Sequence, residues 1–305
     1  MKIDARLKQA IIAGGNGGKI SFDEYLAGHS TIGIGGRVAA LFRPDSEDEL
    51  ASAVRIMGQN GIDFFVLGNG SNILFPDSTV DRVAVKLSSP GFRALRFGDG
   101  SVFCGAGLRL SELISGCAVH GLSGMEGLVG IPGTVGGAIR NNAGYMSEIS
   151  DRLTKIRLMG PDGETGWMDR NDIGFGYRGS SIKNGQIITG AEFALSADDR
   201  DLIENRLRKY FISKLDSQPY GKKTLGCVFK NPPAGSGLSS SRLIDECGLK
   251  GARCGNAVVS IKHANFIINS GGASSKDVMA LIEKMRGTVK KRHSIDMDLE
   301  IEIIQ

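Results

Sequence analysis

The period of apolar and polar positions changes repeatedly along this chain, and each change marks an element. The apolar run at 38–42 reads as a buried strand. Ser46 and Glu49 have the spacing of a capping box, and Leu50, Ala53, Val54 and Met57 then recur on one helical face. Asn60-Gly61 stops that helix, and 64–67 is a second strand, so a βαβ unit leads directly into Gly68-Asn69-Gly70-Ser71-Asn72. Further strands are predicted at 80–87, 94–97 and 102–105, and Leu110, Leu113, Ile114 and Cys117 predict a helix ending at His120-Gly121. The stretch from Gly121 to Gly144 carries too many glycines for a regular element.

Residues 153–159 and 186–195, with a Pro161-Asp162-Gly163 turn in the intervening segment, read as β structure. The character changes near Ala197. A helix is predicted over 199–215, with Leu202, Ile203, Leu207, Tyr210 and Phe211 on its apolar side. Strands near Val228 and Val258 and a helix over about 275–292 follow. The end alternates strictly over 295–303 and predicts a half-buried strand. The fold class is therefore α+β, and 305 residues suggest more than one domain.

Composition narrows the chemistry. A hydrophobic share of 41% excludes disorder as the default state. The net charge of +4 is spread along the chain with no basic run, which argues against a nucleic-acid partner. Cys104, Cys117, Cys227, Cys247 and Cys254 are odd in number and contain no CxxC pair, and the four histidines show no zinc spacing. The N-terminal lead lacks the apolar core of a signal peptide and no stretch has the length of a membrane span, so a reducing cytoplasm is the expected setting.

Glycine is the unusual residue, at 44 positions, roughly twice the typical share. The segment 66–72 (VLGNGSN) resembles a dinucleotide fingerprint, but Ile73 stands where GxGxxG requires glycine, and no GxxxxGK[ST] loop exists. A loop of Gly, Asn and Ser still points several N–H groups at a phosphate; an ordinary turn is the competing reading. A second cluster, Gly130 to Ala138, is followed by Asn141, Asn142 and Gly144. Two such loops suit a pyrophosphate, and a loop that only packs remains an alternative.

Residues 30–36 (STIGIGG), 67–74 (LGNGSNIL), 130–144 (GIPGTVGGAIRNNAG), 176–180 (GYRGS), 228–233 (VFKNPP), 241–251 (SRLIDECGLKG) and 259–269 (VSIKHANFIIN) together resemble the UDP-N-acetylenolpyruvoylglucosamine reductase family, in the family's order. The C-terminal LEIEII also matches. The resemblance implies a vanillyl-alcohol-oxidase-type FAD-binding region of two α/β subdomains, at 1–88 and 89–196, and a third α/β substrate-binding domain at 197–305 that carries a C-terminal catalytic strand. It implies an oxidoreductase of peptidoglycan synthesis, serving cell wall biogenesis, cell shape and cell division. NADPH reduces a noncovalent FAD, and hydride passes to the enolpyruvyl ether of a UDP-sugar. No obligate protein partner is implied. A short turn between Ser181 and Gln186 resembles the family's shorter form.

For FAD the matching positions are Leu67, Gly68, Asn69, Gly70, Ser71, Asn72, Ile131, Pro132, Gly133, Thr134, Gly136, Gly137, Ala138, Asn142 and Gly144. Arg178 matches the family's arginine, whose planar fork suits a carboxylate gaining charge. On its own it would read as a surface residue. Glu300 matches the family's glutamate, though Asp296, Asp298, Glu300 and Glu302 by themselves read as a solvated acidic row. Cys227 stands where the family usually has its proton-donating serine. A cysteine is more often a small packed hydrophobe, yet a thiol, with a reference pKa of about 8.5, is a sufficient acid. Tyr177, Lys214, Lys230 and Asn231 lie in or beside runs implied to bind substrate, and for Lys214 a solvated helix-end lysine competes. His263 reads as structural or cleft-lining. Other functions stay open: a flavin oxidase or dehydrogenase of the same fold, or a flavin- or nucleotide-binding protein without turnover.

Neither 30–36 nor 130–137 offers a His or Cys for flavin attachment. The purified protein is therefore expected to be yellow and to release its flavin on trichloroacetic acid precipitation; flavin retained in the pellet would contradict this.

Overall fold

The computed structural model describes residues 19–233 and 237–304. The 1–18 lead, on which the targeting expectation partly rests, lies outside the described residues, as do 234–236 and 305. The backbone divides into two compact units. The first comprises residues up to Glu24, Val38–Gly68 and Asp81–Ile212; the second comprises Tyr25–Arg37, Asn69–Val80 and the chain from Ser213 onward.

Besides two short two-stranded pairs, the first unit contains two larger sheets. One orders its strands Ile20–Tyr25, Arg37–Phe42, Val80–Val85, Phe64–Val66, with the last two parallel. The other is antiparallel, in the order Thr165–Asp169, Leu153–Met159, Ile187–Ala194, Ser101–Gly105, Leu95–Phe97. Helices Glu47–Gln59 and Leu110–Val119 bury the faces their spacing predicted, Leu50, Ala53, Val54 and Met57 on one and Leu110, Leu113, Ile114 and Cys117 on the other. At the first helix, Ser46 Oγ accepts from Glu49 N at 3.2 Å. The return bond misses the cap, because Glu49 Oε2 accepts from Asp45 N at 2.8 Å instead.

Two expectations in this unit are corrected. The glycine-dense stretch holds a six-residue helix, Val135–Arg140, capped by Thr134 Oγ1. Burial of Val135, Ala138 and Ile139 offsets the cost of its two glycines. On helix Arg200–Ser217, Leu202 is 52% exposed. The contact stripe runs instead through buried Ile203 and half-buried Leu207, Tyr210 and Phe211.

The second unit builds an antiparallel sheet in the order Thr224–Cys227, Phe266–Asn269, Ala257–Val259, Arg253–Cys254. Helix Ser275–His293 begins with a reciprocal capping box, Ser274 Oγ accepting from Asp277 N at 3.1 Å and Asp277 Oδ2 from Ser274 N at 2.9 Å. Leu281, Met285 and Val289 on that helix join Phe229, Leu225, Met297 and Ile301 in one core. The 295–303 segment keeps its alternation, with Met297 and Ile301 buried and Asp296, Asp298 and Glu302 exposed. Only Glu302–Ile303 forms a regular strand, parallel to Ile73–Leu74. Upstream, a single bridge joins Leu299 to Phe229. The predicted strand is divided because its pairing partner changes part-way along. Among the described residues, no helix is long and apolar enough to cross a membrane.

One charged cluster anchors the 122–128 segment to helix Arg200–Ser217. Buried Glu126 accepts from Ser123 Oγ at 2.9 Å, Gly124 N at 2.7 Å and Arg206 Nη2 at 2.8 Å. Burial pushes this carboxyl up, but the hydrogen bonds from its own backbone, Gly124, Arg206 and Ser123 outweigh that and hold it below its ordinary value. A depressed carboxyl stabilises the fold above the unfolded value near 4.5 and loses that contribution as pH falls through the folded value. Glu126→Gln should lower stability at neutral pH by about 1–3 kcal/mol. Its loss of stability below pH 4.5 should be shallower than in the wild type. Denaturant titrations at a series of pH values check both; curves that stay parallel to the wild type below that pH would contradict the assignment.

Candidate functional site

The first unit supplies Leu67, Gly68 and the 131–144 segment. A Cβ on Gly68 would lie 2.9 Å from Thr134 Oγ1, and one on Gly136 would lie 2.9 Å from Ala106 Cβ. Only glycine lets these backbones come so close. Gly133 adopts φ 134° and its carbonyl accepts from Leu110 N at 3.1 Å. Among the described residues, the amides of Gly68, Gly133 and Thr134 donate to no backbone carbonyl. Unused amides on a glycine-rich backbone fit a pyrophosphate-bearing cofactor such as FAD.

Tyr177 and Arg178 form the turn of a hairpin in which Phe175 pairs with Ser180 and Gly176 with Gly179. Arg178 has φ 55°, a left-handed conformation that costs a non-glycine residue roughly 1–2 kcal/mol. Three contacts tie this hairpin to the glycine-rich segment. Arg178 Nη2 donates to Gly144 O at 2.8 Å, Asn142 Nδ2 to Gly176 O at 3.0 Å, and Ser180 Oγ to Arg140 O at 2.8 Å. Asn142 is fully buried with φ 42°, and its Nδ2 also donates to Glu148 Oε2 at 2.7 Å. Both amide protons are thus used. Asn142 lies in a motif run matched to the cofactor, whereas Glu148 stands outside any singled-out position and its hydrogen bond to Asn142 carries no sequence signature.

The second unit brings together Asn69–Asn72, Cys227, Lys230, Asn231 and Glu300. Gly70 has φ 58°, and a Cβ there would fall 2.1 Å from His29 O, so the loop requires glycine. Thr31 N donates to Gly70 O at 3.1 Å, and Thr31 Oγ1 donates to Thr224 O at 2.6 Å. The STIGIGG segment therefore joins the 69–72 loop to the strand bearing Cys227. Asn72 Nδ2 donates to Glu300 O at 3.1 Å. Among the described residues, the amides of Asn69, Gly70 and Asn72 donate to no backbone carbonyl.

Cys227 faces Phe266 across the sheet, and a bulge lies between Thr224 and Cys227, where Gly226 has φ 82°. Bulges re-aim the following side chain. Glu300 N donates to Val228 O at 2.8 Å, so the two residues that match the family's serine and glutamate occupy adjoining extended segments. Lys230 N donates to Asp298 O at 2.8 Å. Asn231 Oδ1 accepts from Ser240 N at 3.1 Å and Lys230 O from Ser240 Oγ, which fixes this pair against helix Ser240–Glu246. Lys214 is 5% exposed, so a solvated helix-end lysine does not describe it.

Burial, assisted by the Lys250 charge, holds His263 below its ordinary value, and the ring lies edge-on to Phe266 at 4.7 Å. Asn265 was not singled out from sequence; it contacts Phe229 through both side-chain atoms, Oδ1 accepting from Phe229 N at 3.0 Å and Nδ2 donating to Phe229 O at 2.8 Å. Among the described residues, no cluster of three or more His, Cys, Asp or Glu side chains could hold a metal ion.

A family profile described as the C-terminal domain of UDP-N-acetylenolpyruvoylglucosamine reductase matches residues 218–304, and one described as an FAD binding domain matches 38–169. The chain is 42% identical over 284 residues to the UDP-N-acetylenolpyruvoylglucosamine reductase of Carboxydothermus hydrogenoformans, covering 92% of this chain and 93% of that one. It is 37% identical over 290 residues to the enzyme of the same name from Halalkalibacterium halodurans, covering 94% and 95%. The crystal structure of the Thermus caldophilus reductase aligns with a TM-score of 0.81 at 35% identity, covering 94% of this chain and 98% of that one. A glucose dehydrogenase, Phl p 4.0202, aligns with a TM-score of 0.50 at 14% identity over 63% of this chain and 44% of its own, a likeness of fold alone. With identity of this order along nearly the whole of both chains, this protein belongs to the UDP-N-acetylenolpyruvoylglucosamine reductase family.

Proposed function

We propose that this protein reduces UDP-N-acetylglucosamine enolpyruvate to UDP-N-acetylmuramate in the cytoplasm, with Arg178, Cys227 and Glu300 carrying the chemistry. The protein is an FAD-dependent oxidoreductase that takes its reducing equivalents from NADPH. The pairing that sets Glu300 beside the Cys227 segment carries the proposal most directly. The two larger sheets of the first unit fall on either side of residue 89, which supports reading 1–88 and 89–196 as two FAD-binding subdomains, and 197–305 is read as the substrate domain.

Bound FAD supplies the hydride that reaches the substrate's methylene carbon. As that C–H bond forms, the electron pair of the double bond moves toward the neighbouring carbon and its carboxylate. Arg178 holds this carboxylate with two parallel N–H donors, and the hairpin's ties to Gly144, Asn142 and Arg140 keep the guanidinium in place. Cys227 then gives its thiol proton to the carbon beside the carboxylate and recovers one from solvent. Glu300, on the segment paired with Val228, completes the set. Tyr177, Lys214, Lys230 and Asn231 are the residues read as positioning the UDP-sugar, and the unused amides of each glycine loop are the groups that would hold noncovalent FAD.

Arg178→Lys keeps the charge and loses the fork. Its substrate-reduction step should weaken by on the order of 2–4 kcal/mol, while NADPH-driven flavin bleaching stays unchanged. Anaerobic stopped-flow at the flavin absorbance separates the two; equal slowing of both would make Arg178 structural.

Cys227→Ala should bleach normally with NADPH and nearly fail to reoxidise with substrate. Cys227→Ser should retain turnover. A thiol ionises in a pH range where a hydroxyl does not, so the alkaline decline of substrate reduction should be present in the wild type and absent from Cys227→Ser. Wild-type reoxidation rates in Cys227→Ala across the pH range would assign the proton to another source.

A further inference from the structure

The Cys227 strand is anchored on its second edge by a side chain that imitates a peptide group. Strand Phe266–Asn269 ends opposite Cys227, at Phe266, and regular pairing stops there. Beyond it, Val228 N donates to Asn265 O at 2.9 Å. Phe229 is fully buried and has no strand residue to pair with on this edge. The Asn265 side chain takes that place. Its Oδ1 accepts from Phe229 N at 3.0 Å and its Nδ2 donates to Phe229 O at 2.8 Å. One residue, itself 2% exposed, thus makes three hydrogen bonds to two consecutive residues. Water cannot substitute for it at a sealed site, and buried peptide groups left unpaired force the chain to move.

We infer that Asn265 is a positioning residue for proton transfer: its amide clamps Phe229 and so fixes the direction of the Cys227 thiol. This rests on the reading of Cys227 as proton donor. On the N-terminal side of Cys227 the ladder is irregular, with a bulge between Thr224 and Cys227 where Gly226 has φ 82°. The bonds at Val228 and Phe229 are the nearest fixed points after it. They also hold the register of the neighbouring segment, since Phe229 bridges Leu299 and Val228 O accepts from Glu300 N. Asparagine suits the role because its amide offers a donor and an acceptor together, as a peptide bond does. Aspartate has the same shape and, when ionised, offers only acceptors.

The test uses FAD-loaded enzyme carrying Asn265→Ala or Asn265→Asp, followed anaerobically through both half-reactions. NADPH-driven bleaching, which needs no proton from Cys227, should stay within about twofold of wild type. Reoxidation by UDP-N-acetylglucosamine enolpyruvate should fall on the order of a hundredfold in Asn265→Ala, as expected when a reacting group is displaced by about 1 Å. In Asn265→Asp it should partly recover as pH is lowered, because a protonated carboxyl again donates to Phe229 O. Adding Asn265→Ala to Cys227→Ala should slow reoxidation no further than Cys227→Ala alone. If Asn265→Ala fails to retain flavin, the Asn265→Asp pH profile carries the test. Reoxidation at wild-type rate in Asn265→Asp at neutral pH, or equal slowing of both half-reactions, overturns the inference. Failure of the donor assignment is distinguishable: Cys227→Ala then reoxidises normally whatever the Asn265 variants do.

Discussion

A buried extended strand must find a partner for every N–H and C=O it removes from water, and residues 227–230 meet that requirement with three different kinds of partner. Val228 and Lys230 bond the backbone of 298–300, Val228 also bonds the backbone of Asn265, and Phe229 bonds a side-chain amide. Each of these partners is placed by the second unit's core, in which Phe229, Leu225, Met297 and Ile301 pack against the long C-terminal helix. The placement of Cys227 and Glu300 on adjoining segments is therefore a consequence of backbone satisfaction. Change the partners and the two side chains lose their relation.

The first unit solves a different problem, how to hold a charged side chain on a two-residue turn. The turn conformation is unfavourable for arginine, and the hairpin is short, so it has little stability of its own. Bonds to Gly144, Asn142 and Arg140 compensate by making the hairpin continuous with the glycine-rich segment. The glycines that fit the cofactor and the residues that hold Arg178 are interleaved in one stretch of chain. Cofactor fit and arginine placement are thus not independently variable.

Much of this was legible in the sequence. The helix over 47–59, most strands of the first unit and the C-terminal alternation follow from periodicity, because burial on one face is a local pattern; strands Ile20–Tyr25 and Thr165–Asp169 were not predicted. The helix Val135–Arg140 was not, since its glycines mask three buried positions. Leu202 was misplaced because a helix stripe one residue wide of the true one scores almost equally well. The residues of the glycine loops and of the Tyr177–Arg178 turn were singled out through motif runs, whose spacing is preserved in sequence. Asn265 and Glu148 were missed for a physical reason: each acts through a hydrogen bond to a residue 36 or 6 positions away, and nothing in composition or period records such a bond.

In the proposed reaction one protein passes reducing equivalents from NADPH to an enolpyruvyl UDP-sugar and protonates the product. The most direct measurement is an anaerobic titration of the purified yellow protein, followed by mass spectrometry of the sugar. NADPH should bleach the flavin, the UDP-sugar should restore its colour in stoichiometric amount, and the recovered product should carry two additional hydrogens, at least one of them from solvent. Bleaching by NADPH without restoration by the sugar would contradict that reaction.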